Sequence, residues 1–259
     1  MLLPMIRLLH RILTQNQLTS RAQRAIVHRI KDLLAFPDPY YQFGQLYRAA
    51  RPSAVLDIGS HEGHTVRKMV DYMPDARIHA FEPTPATAAI LRARTGHLRN
   101  VQVHQMALSD RTGTMKFFVN TGSMTNSLLD NATGSEEVAG DLQKHLQEVE
   151  VQTMALDDWA AKFAPTGPLL VKADIQGAER LLVEGGRKVF ADRVVAFYTE
   201  VCLLPQYENQ TPFWELHQIL TKDFGLVLVD IYPCGKDLLG RAAWTDAMWV
   251  KPEYAKACR

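Results

Sequence analysis

The sequence predicts an α/β fold, with one mostly parallel sheet, helices on both faces and a helical extension over residues 1–50. Three observations carry that prediction. Short apolar runs recur at residues 54–58, 78–81, 168–173 and 194–199, several of them closed by an acid. Most are followed by a stretch whose apolar residues fall at helical spacing. The first run breaks into Gly59-Ser-His-Glu-Gly63 and leads into a helix, the opening of a nucleotide-binding α/β unit.

In order along the chain, residues 1–50 read as helices, with Leu2, Ile6, Leu9 and Leu13 near one face and Ile26, Ile30, Leu33 and Leu34 repeating the pattern. Between Arg7 and Lys31 lie six lysines or arginines and no acid. Two readings stand: a cap packed on the domain or on a second copy of the chain in a homodimer, or a surface segment within 1–35 in peripheral contact with anionic lipid. Pro37-Asp-Pro39-Tyr-Tyr41 marks a linker into the domain of residues 51–259.

Residues 65–73 put Val66, Met69, Val70 and Met73 on one helical face. The strand from Ile78 ends in Glu82, and Pro85 enters a helix over 84–94. Residues 101–108 form a third strand, ended by the turn Ser109-Asp-Arg-Thr-Gly113. Met115, Phe117 and Val119 alternate with Lys116, Phe118 and Asn120 as in a hairpin strand. Residues 121–137 are a polar loop and candidate lid, 149–153 a short strand, and Asp157 and Asp158 cap the helix that follows. Residues 168–174 are the fourth core strand, 178–190 a helix, and 194–201 a fifth strand bearing Glu200. A helix over 213–221 and strands over 226–231 and 247–250 complete the chain.

Composition narrows the classes. The 259 residues, 47% hydrophobic, supply a core large enough to need no disulfides. A net charge of +1 argues against nucleic acid as the main partner. Cys202, Cys234 and Cys258 lie far apart without metal-ligand spacing, as expected of a reduced, cytoplasmic protein. No stretch approaches the ~20 apolar residues of a membrane span. Arg7, His10 and Arg11 interrupt the first apolar run, and no signal-peptide cleavage site follows.

The glycine turn identifies the ligand class. A dinucleotide fold uses G-x-G-x-x-G so that backbone amides approach a pyrophosphate, whereas Gly59 and Gly63 are separated by three residues, with Asp57 and Glu62 beside them. Those acids repel a diphosphate and suit a cationic sulfonium and an ammonium group, which points to S-adenosylmethionine. Glu82 closes the next strand, where an acid can accept hydrogen bonds from both ribose hydroxyls, about 1.5–3 kcal/mol each. Gln105-Met-Ala-Leu108 falls where this fold would hold an adenine. The alternative at this stage is structural: Asp57 ties down the turn and Glu82 caps the next helix.

Asp57-Ile-Gly-Ser-His-Glu-Gly63, Phe81-Glu-Pro83, Ala107-Leu-Ser109, Asn126-Ser127, Leu156-Asp-Asp158 and Lys172-Ala-Asp-Ile-Gln-Gly-Ala-Glu179 together resemble the FkbM family of methyltransferases, over about residues 50–205. The resemblance implies a Rossmann-like class I methyltransferase sheet, S-adenosylmethionine as methyl donor and S-adenosylhomocysteine as product. It implies cofactor contacts from Asp57, Gly59, Ser60, His61, Glu62 and Gly63 at the methionine end, Glu82 and Pro83 at the ribose, and Met106, Ala107 and Leu108 at the adenine. Asp174 is implied beside the methyl group. It also implies methylation of a hydroxyl on a sugar or secondary metabolite, so the expected partner is a small-molecule or glycan acceptor. Two positions depart from the family: His61 often replaced by Asn there, and Gln176 by Glu. The second removes an acid beside the expected reaction centre.

An alcohol acceptor must lose its proton, and a positioned base contributes roughly 10²–10⁴-fold. Asp174 and Glu200, ending adjacent strands, are the catalytic candidates; His61 is read as a cofactor contact and His104 as core. Glu179 is expected to anchor the loop backbone. A metal held by Asp174 and Glu200 would need a third ligand, and no metal is expected. Asn126, Ser127 and the segment Leu204-Pro-Gln-Tyr-Glu-Asn209 are candidate acceptor contacts, with Tyr207 and Trp214 as stacking surfaces for a sugar. N-methylation, a non-catalytic cofactor-binding module and, more distantly, a nicotinamide oxidoreductase remain as alternatives from the residues alone.

Overall fold

A computed structural model of the chain describes residues 38–258. The basic helices expected before residue 38, and their lipid or subunit contacts, lie outside the described residues. The expected linker is instead a helix start: Asp38 accepts from the backbone N–H of Tyr40 and Tyr41, and Pro39 opens α1 (Pro39–Ala50). Proline suits that place because the first helical N–H has no partner within the helix.

The core runs β1 (Ala54–Ile58), α2 (His64–Tyr72), β2 (Ile78–Phe81), α3 (Pro85–Thr95) and β3 (Val101–His104) on one side of the sheet. It then returns through β7 (Leu169–Ala173), the helices α6 (Glu179–Gly185) and α7 (Arg187–Asp192), β8 (Val194–Cys202) and α8 (Phe213–Lys222) on the other. Strands β3-β2-β1-β7-β8 are parallel in that order. The antiparallel β11 (Ala242–Val250) lies beyond β8 and pairs on its far side with β9 (Val227–Ile231) and β10 (Gly235–Lys236).

Both faces of β1, β2, β7 and β8 are buried, as their largely apolar runs without alternation require, while β3 at the edge leaves Gln102 exposed. Leu56 and Ile58 with Val171 and Ala173 pack against Trp159 of α5 (Leu156–Phe163), Leu182 and Leu216. Val55 and Leu170 face the opposite way, toward Phe43, Val66, Met69 and Leu91.

A second, three-stranded sheet sits over the carboxyl edge: β4 (Ala107–Ser109) parallel to β6 (His145–Ala155), and β6 antiparallel to β5 (Gly113–Asn120). The single strand expected over 101–108 is therefore two. Its pairing with β2 stops at Phe81↔His104, and Ala107 takes up β6 instead. The helix expected over 178–190 is likewise split at Gly185-Gly186; a Cβ at Gly185 would lie 1.8 Å from the Ser109 carbonyl oxygen, so glycine is what lets the Ser109 backbone pack against this point. The polar loop contains a 3-10 turn, Ser123–Thr125, the short α4 (Glu136–Ala139) and a second 3-10 turn, Gly140–Gln143. No helix among the described residues is long and apolar enough to cross a membrane.

Candidate active site

The chain passes from β1 to β2 on one side and later from β7 to β8 on the other, so the strand order reverses between β1 and β7. Open α/β sheets bind ligands at that point, outside the strands' carboxyl ends. There a cavity of about 500 Å³ opens. Gly59, Ser60 and His61 line it from the end of β1, Glu82 and Pro83 from β2, and Met106, Ala107 and Leu108 from the β3–β4 break. Asp174 and Gln176 enter from β7 and Glu200 from β8. Gly59 has φ of +77° and a Cβ there would lie 1.9 Å from the Asp174 carbonyl oxygen, so glycine allows the ends of β1 and β7 to close on each other.

Glu82 is 6% exposed in this wall. Its Oε1 accepts from the Thr84 backbone N–H at 3.0 Å and the Thr84 hydroxyl at 2.6 Å, which hold the carboxylate in place. His61 adopts a left-handed backbone, φ 47°, which Asn, Asp and His tolerate best among residues with a side chain. Its Nε2 lies 2.9 Å from Ser123 Oγ, joining the glycine turn to the candidate lid.

Three expected cofactor contacts are placed elsewhere. Asp57 is fully buried beneath the turn. It is the register partner of Lys172 on β7 and forms an ion pair with its ammonium at 3.2 Å, while Thr65 donates a hydroxyl to its other oxygen. Its charge is thus compensated inside the protein by Lys172. Burial acts to lower the Lys172 pKa, but the carboxylates of Asp57 and Asp174 outweigh it and the net shift is upward. Glu62 turns outward to Arg94, 2.7 Å away. Gly63 is the N-cap of α2 and stands outside the cavity wall.

The two strand-end acids do converge. The Gln176 side-chain amide donates to Asp174 Oδ1 at 2.7 Å and to Glu200 Oε1 at 2.8 Å. Its own Oε1 accepts from the Tyr207 hydroxyl at 2.7 Å, which sets the amide's orientation. Gln176 also carries φ of 56°, a strained backbone of the kind that collects at functional sites. An amide therefore bridges the carboxylates where a third acid would repel them. Burial first, and the charge of Asp174 second, push Glu200 well above the usual carboxylate range. Glu179 anchors the loop as expected: its Oε1 accepts from the Ile175 N–H at 3.3 Å, and burial pushes its carboxyl up to about 7.

Two expected acceptor contacts are supports for this bridge. Tyr207 is 2% exposed and stands behind Gln176, so its ring offers no face to a sugar. Ser127 is also buried and donates to the Gln176 carbonyl at 2.7 Å. Asn126 does line the cavity, with Oδ1 accepting from the Asn120 N–H. Trp214 is exposed away from it. Asp157 caps in another sense than expected, accepting from Lys188 and Val189 at the start of α7, while Asp158 accepts from Thr112. His104 is core, stacked on Phe81.

Sequence reasoning assigned no role to Lys172, whose signal was a lysine inside the apolar run Leu169-Leu-Val171. Gln206, within the expected acceptor segment 204–209, does line the cavity, and so does Trp244, which carries no signal in the sequence and is brought there only by the fold. Among the described residues, no group of three or more His, Cys, Asp or Glu is arranged to hold a metal ion.

The methyltransferase FkbM domain family matches residues 57–227 of the chain. Among curated proteins, 2-O-methyltransferase NoeI of Sinorhizobium fredii is 29% identical over 207 residues, covering 75% of this chain and 76% of NoeI. Among solved structures, methyltransferase FkbM from Methylobacillus flagellatus KT superposes with a TM-score of 0.49 at 12% identity; the match covers 94% of this chain and spans 58% of that chain's length. Aeropyrum pernix fibrillarin, solved with natively bound S-adenosyl-L-methionine, matches with a TM-score of 0.41 at 12% identity, over 76% of this chain and 66% of its own.

Proposed function

The chain belongs to the FkbM-domain methyltransferases, and from that membership we propose that it transfers the methyl group of S-adenosylmethionine to a hydroxyl oxygen of a sugar or secondary metabolite. The observation that carries this reading is the cavity itself, which sets Glu82 on one side of the reversal of strand order and the Asp174–Glu200 pair on the other. Similarity to a protein named as a 2-O-methyltransferase supports oxygen as the acceptor atom.

The residues fit the donor. Ile58, Phe81, Met106 and Leu108 supply apolar wall for a purine, and Glu82, with Oε1 held by Thr84, faces the cavity as a ribose acceptor. When bound, S-adenosylmethionine supplies a methyl carbon already activated by its sulfonium. An acceptor hydroxyl seated against Asp174 and Glu200 gives its proton to a carboxylate as its oxygen bonds to that carbon. The only proton for the protein to accept is the acceptor's, since the donor would leave as a neutral thioether that keeps the electron pair of its former bond to the methyl carbon. Most of the acceleration comes from holding the oxygen about 3–3.5 Å from the methyl group, opposite sulfur. Gln176 keeps both carboxylates turned toward that space.

Calorimetric titration with S-adenosylhomocysteine, with NAD as control, tests the reading. Micromolar binding of the first alone is expected. A folded protein that binds neither, or prefers NAD, would overturn it.

A further inference from the structure

The cavity extends beyond the carboxylate pair. From β2 it crosses β1, β7 and β8 and reaches Trp244 on β11, four strand spacings, or about 19 Å. In the reading above, which this inference rests on, the donor occupies the β2–β1 end and the reacting atoms lie at β7 and β8. The remaining wall, over β8 and β11, faces the body of the acceptor.

That wall is apolar. Trp244 and Leu238 line it from the β10–β11 hairpin, Met124 from the lid segment, and Val138 and Leu142 from the helix and 3-10 turn that follow it. Leu238, Met124 and Leu142 are 73%, 68% and 53% exposed, unusual for large apolar side chains gathered around one opening. They are carried on backbone that is tied together. Gly122 donates to the Leu142 carbonyl at 2.8 Å and Leu238 to the Glu137 carbonyl at 3.3 Å.

Several polar groups among them are already engaged. The Gln206 side-chain amide donates to Cys202 Sγ, and the Gln206 carbonyl accepts from Ala132 and from Gln143. The Thr125 hydroxyl is held by the Gly122 and Leu142 carbonyls, and Ser123 by His61. A polyhydroxylated ring placed here would find few partners, whereas a hydrocarbon would cover the leucines and methionine.

We propose that this end of the cavity is a hydrocarbon subsite and that the acceptor is amphiphilic, a hydroxyl-bearing head joined to an alkyl or acyl chain. The hydroxyl reaches the carboxylates while the chain lies between Trp244, Leu238 and Leu142.

The test is calorimetric titration of the full chain, with and without saturating S-adenosylhomocysteine, using n-octyl β-D-glucoside below its micelle concentration against methyl β-D-glucoside. Octyl glucoside should bind at least tenfold more tightly. The exposed-site double variant Leu142→Ser/Leu238→Ser should lose most of that advantage while keeping the parent's affinity for S-adenosylhomocysteine. Absence of octyl binding, equal affinity for the two glucosides, or an octyl advantage that survives the double substitution would overturn the subsite. Loss of S-adenosylhomocysteine binding strikes the donor reading instead, since the comparison on cofactor-free protein still reports on the hydrocarbon wall.

Discussion

Replacing Glu179 by Gln should remove a pH dependence of stability that the fold builds in behind the active site. Glu179 is 4% exposed and holds the loop that carries Asp174 and Gln176, through the Ile175 N–H. Burial, aided by the charge of Asp174, pushes its carboxyl from 4.5 up to about 7, although backbone N–H groups of Glu179, Ile175 and Gly177 pull the other way. The folded protein therefore holds this proton more tightly than the unfolded chain does. The stabilisation that results is fully present below pH 4.5 and is lost as pH rises through about 7. At 1.36 kcal/mol per pH decade, the loss amounts to about 3 kcal/mol. Gln is neutral throughout, so Glu179→Gln adds a constant offset from its different hydrogen bonding but no such slope. Urea unfolding of both proteins at intervals from pH 4.5 to 8 measures this directly. The stability difference should move by about 3 kcal/mol in favour of Gln across the range. A difference that stays constant within the error of linear extrapolation would refute the argument.

Three further outcomes follow from the site. Glu82→Ala should weaken S-adenosylhomocysteine binding by about 1.5–3 kcal/mol, roughly 10- to 150-fold; an unchanged dissociation constant removes Glu82 from the ribose. Asp174→Asn should lower kcat by roughly 10²–10⁴-fold. Because the Asp174 charge helps hold Glu200 high, the same change should move the acid limb of residual turnover to lower pH, and full activity with an unmoved limb would dismiss the pair as the base. Lys172→Met leaves Asp57 buried without its cation and should cost about 3–5 kcal/mol of stability, read as a lower Tm; a parent-like Tm would show that the ion pair is dispensable.

Much of the scaffold was legible because it depends on local pattern. The runs at Ala54–Ile58 and Leu169–Ala173 are strands buried on both faces, and such runs show as nearly continuous apolar sequence, broken here only by Asp57 and Lys172, which pair with each other. The errors have a common cause in contacts between distant segments. The strand over 101–108 divides because β6 offers Ala107 a new partner, and the helix after Ala178 breaks at Gly185-Gly186, where the Ser109 backbone leaves no room for a side chain. Neither partner is near in sequence, so no window of residues contains the cause.

Sequence by itself determined the class of this protein and the chemistry of its strand ends: a glycine turn after β1, an acid after β2, and acids at the ends of β7 and β8. Those are properties of residue type and spacing along one chain. Tertiary structure alone decided which of these groups face the cavity. Asp57 and Glu82 look equivalent as acids at the ends of apolar runs, yet Asp57 pairs with Lys172 across the sheet while Glu82 stands in the wall. Likewise Tyr207, an expected contact for the acceptor, became the support of Gln176, and Gln176 the bridge between two carboxylates. Side-chain role depends on what lies across the neighbouring strand, and parallel strands acquire their neighbours through crossovers that carry the chain far away before it returns.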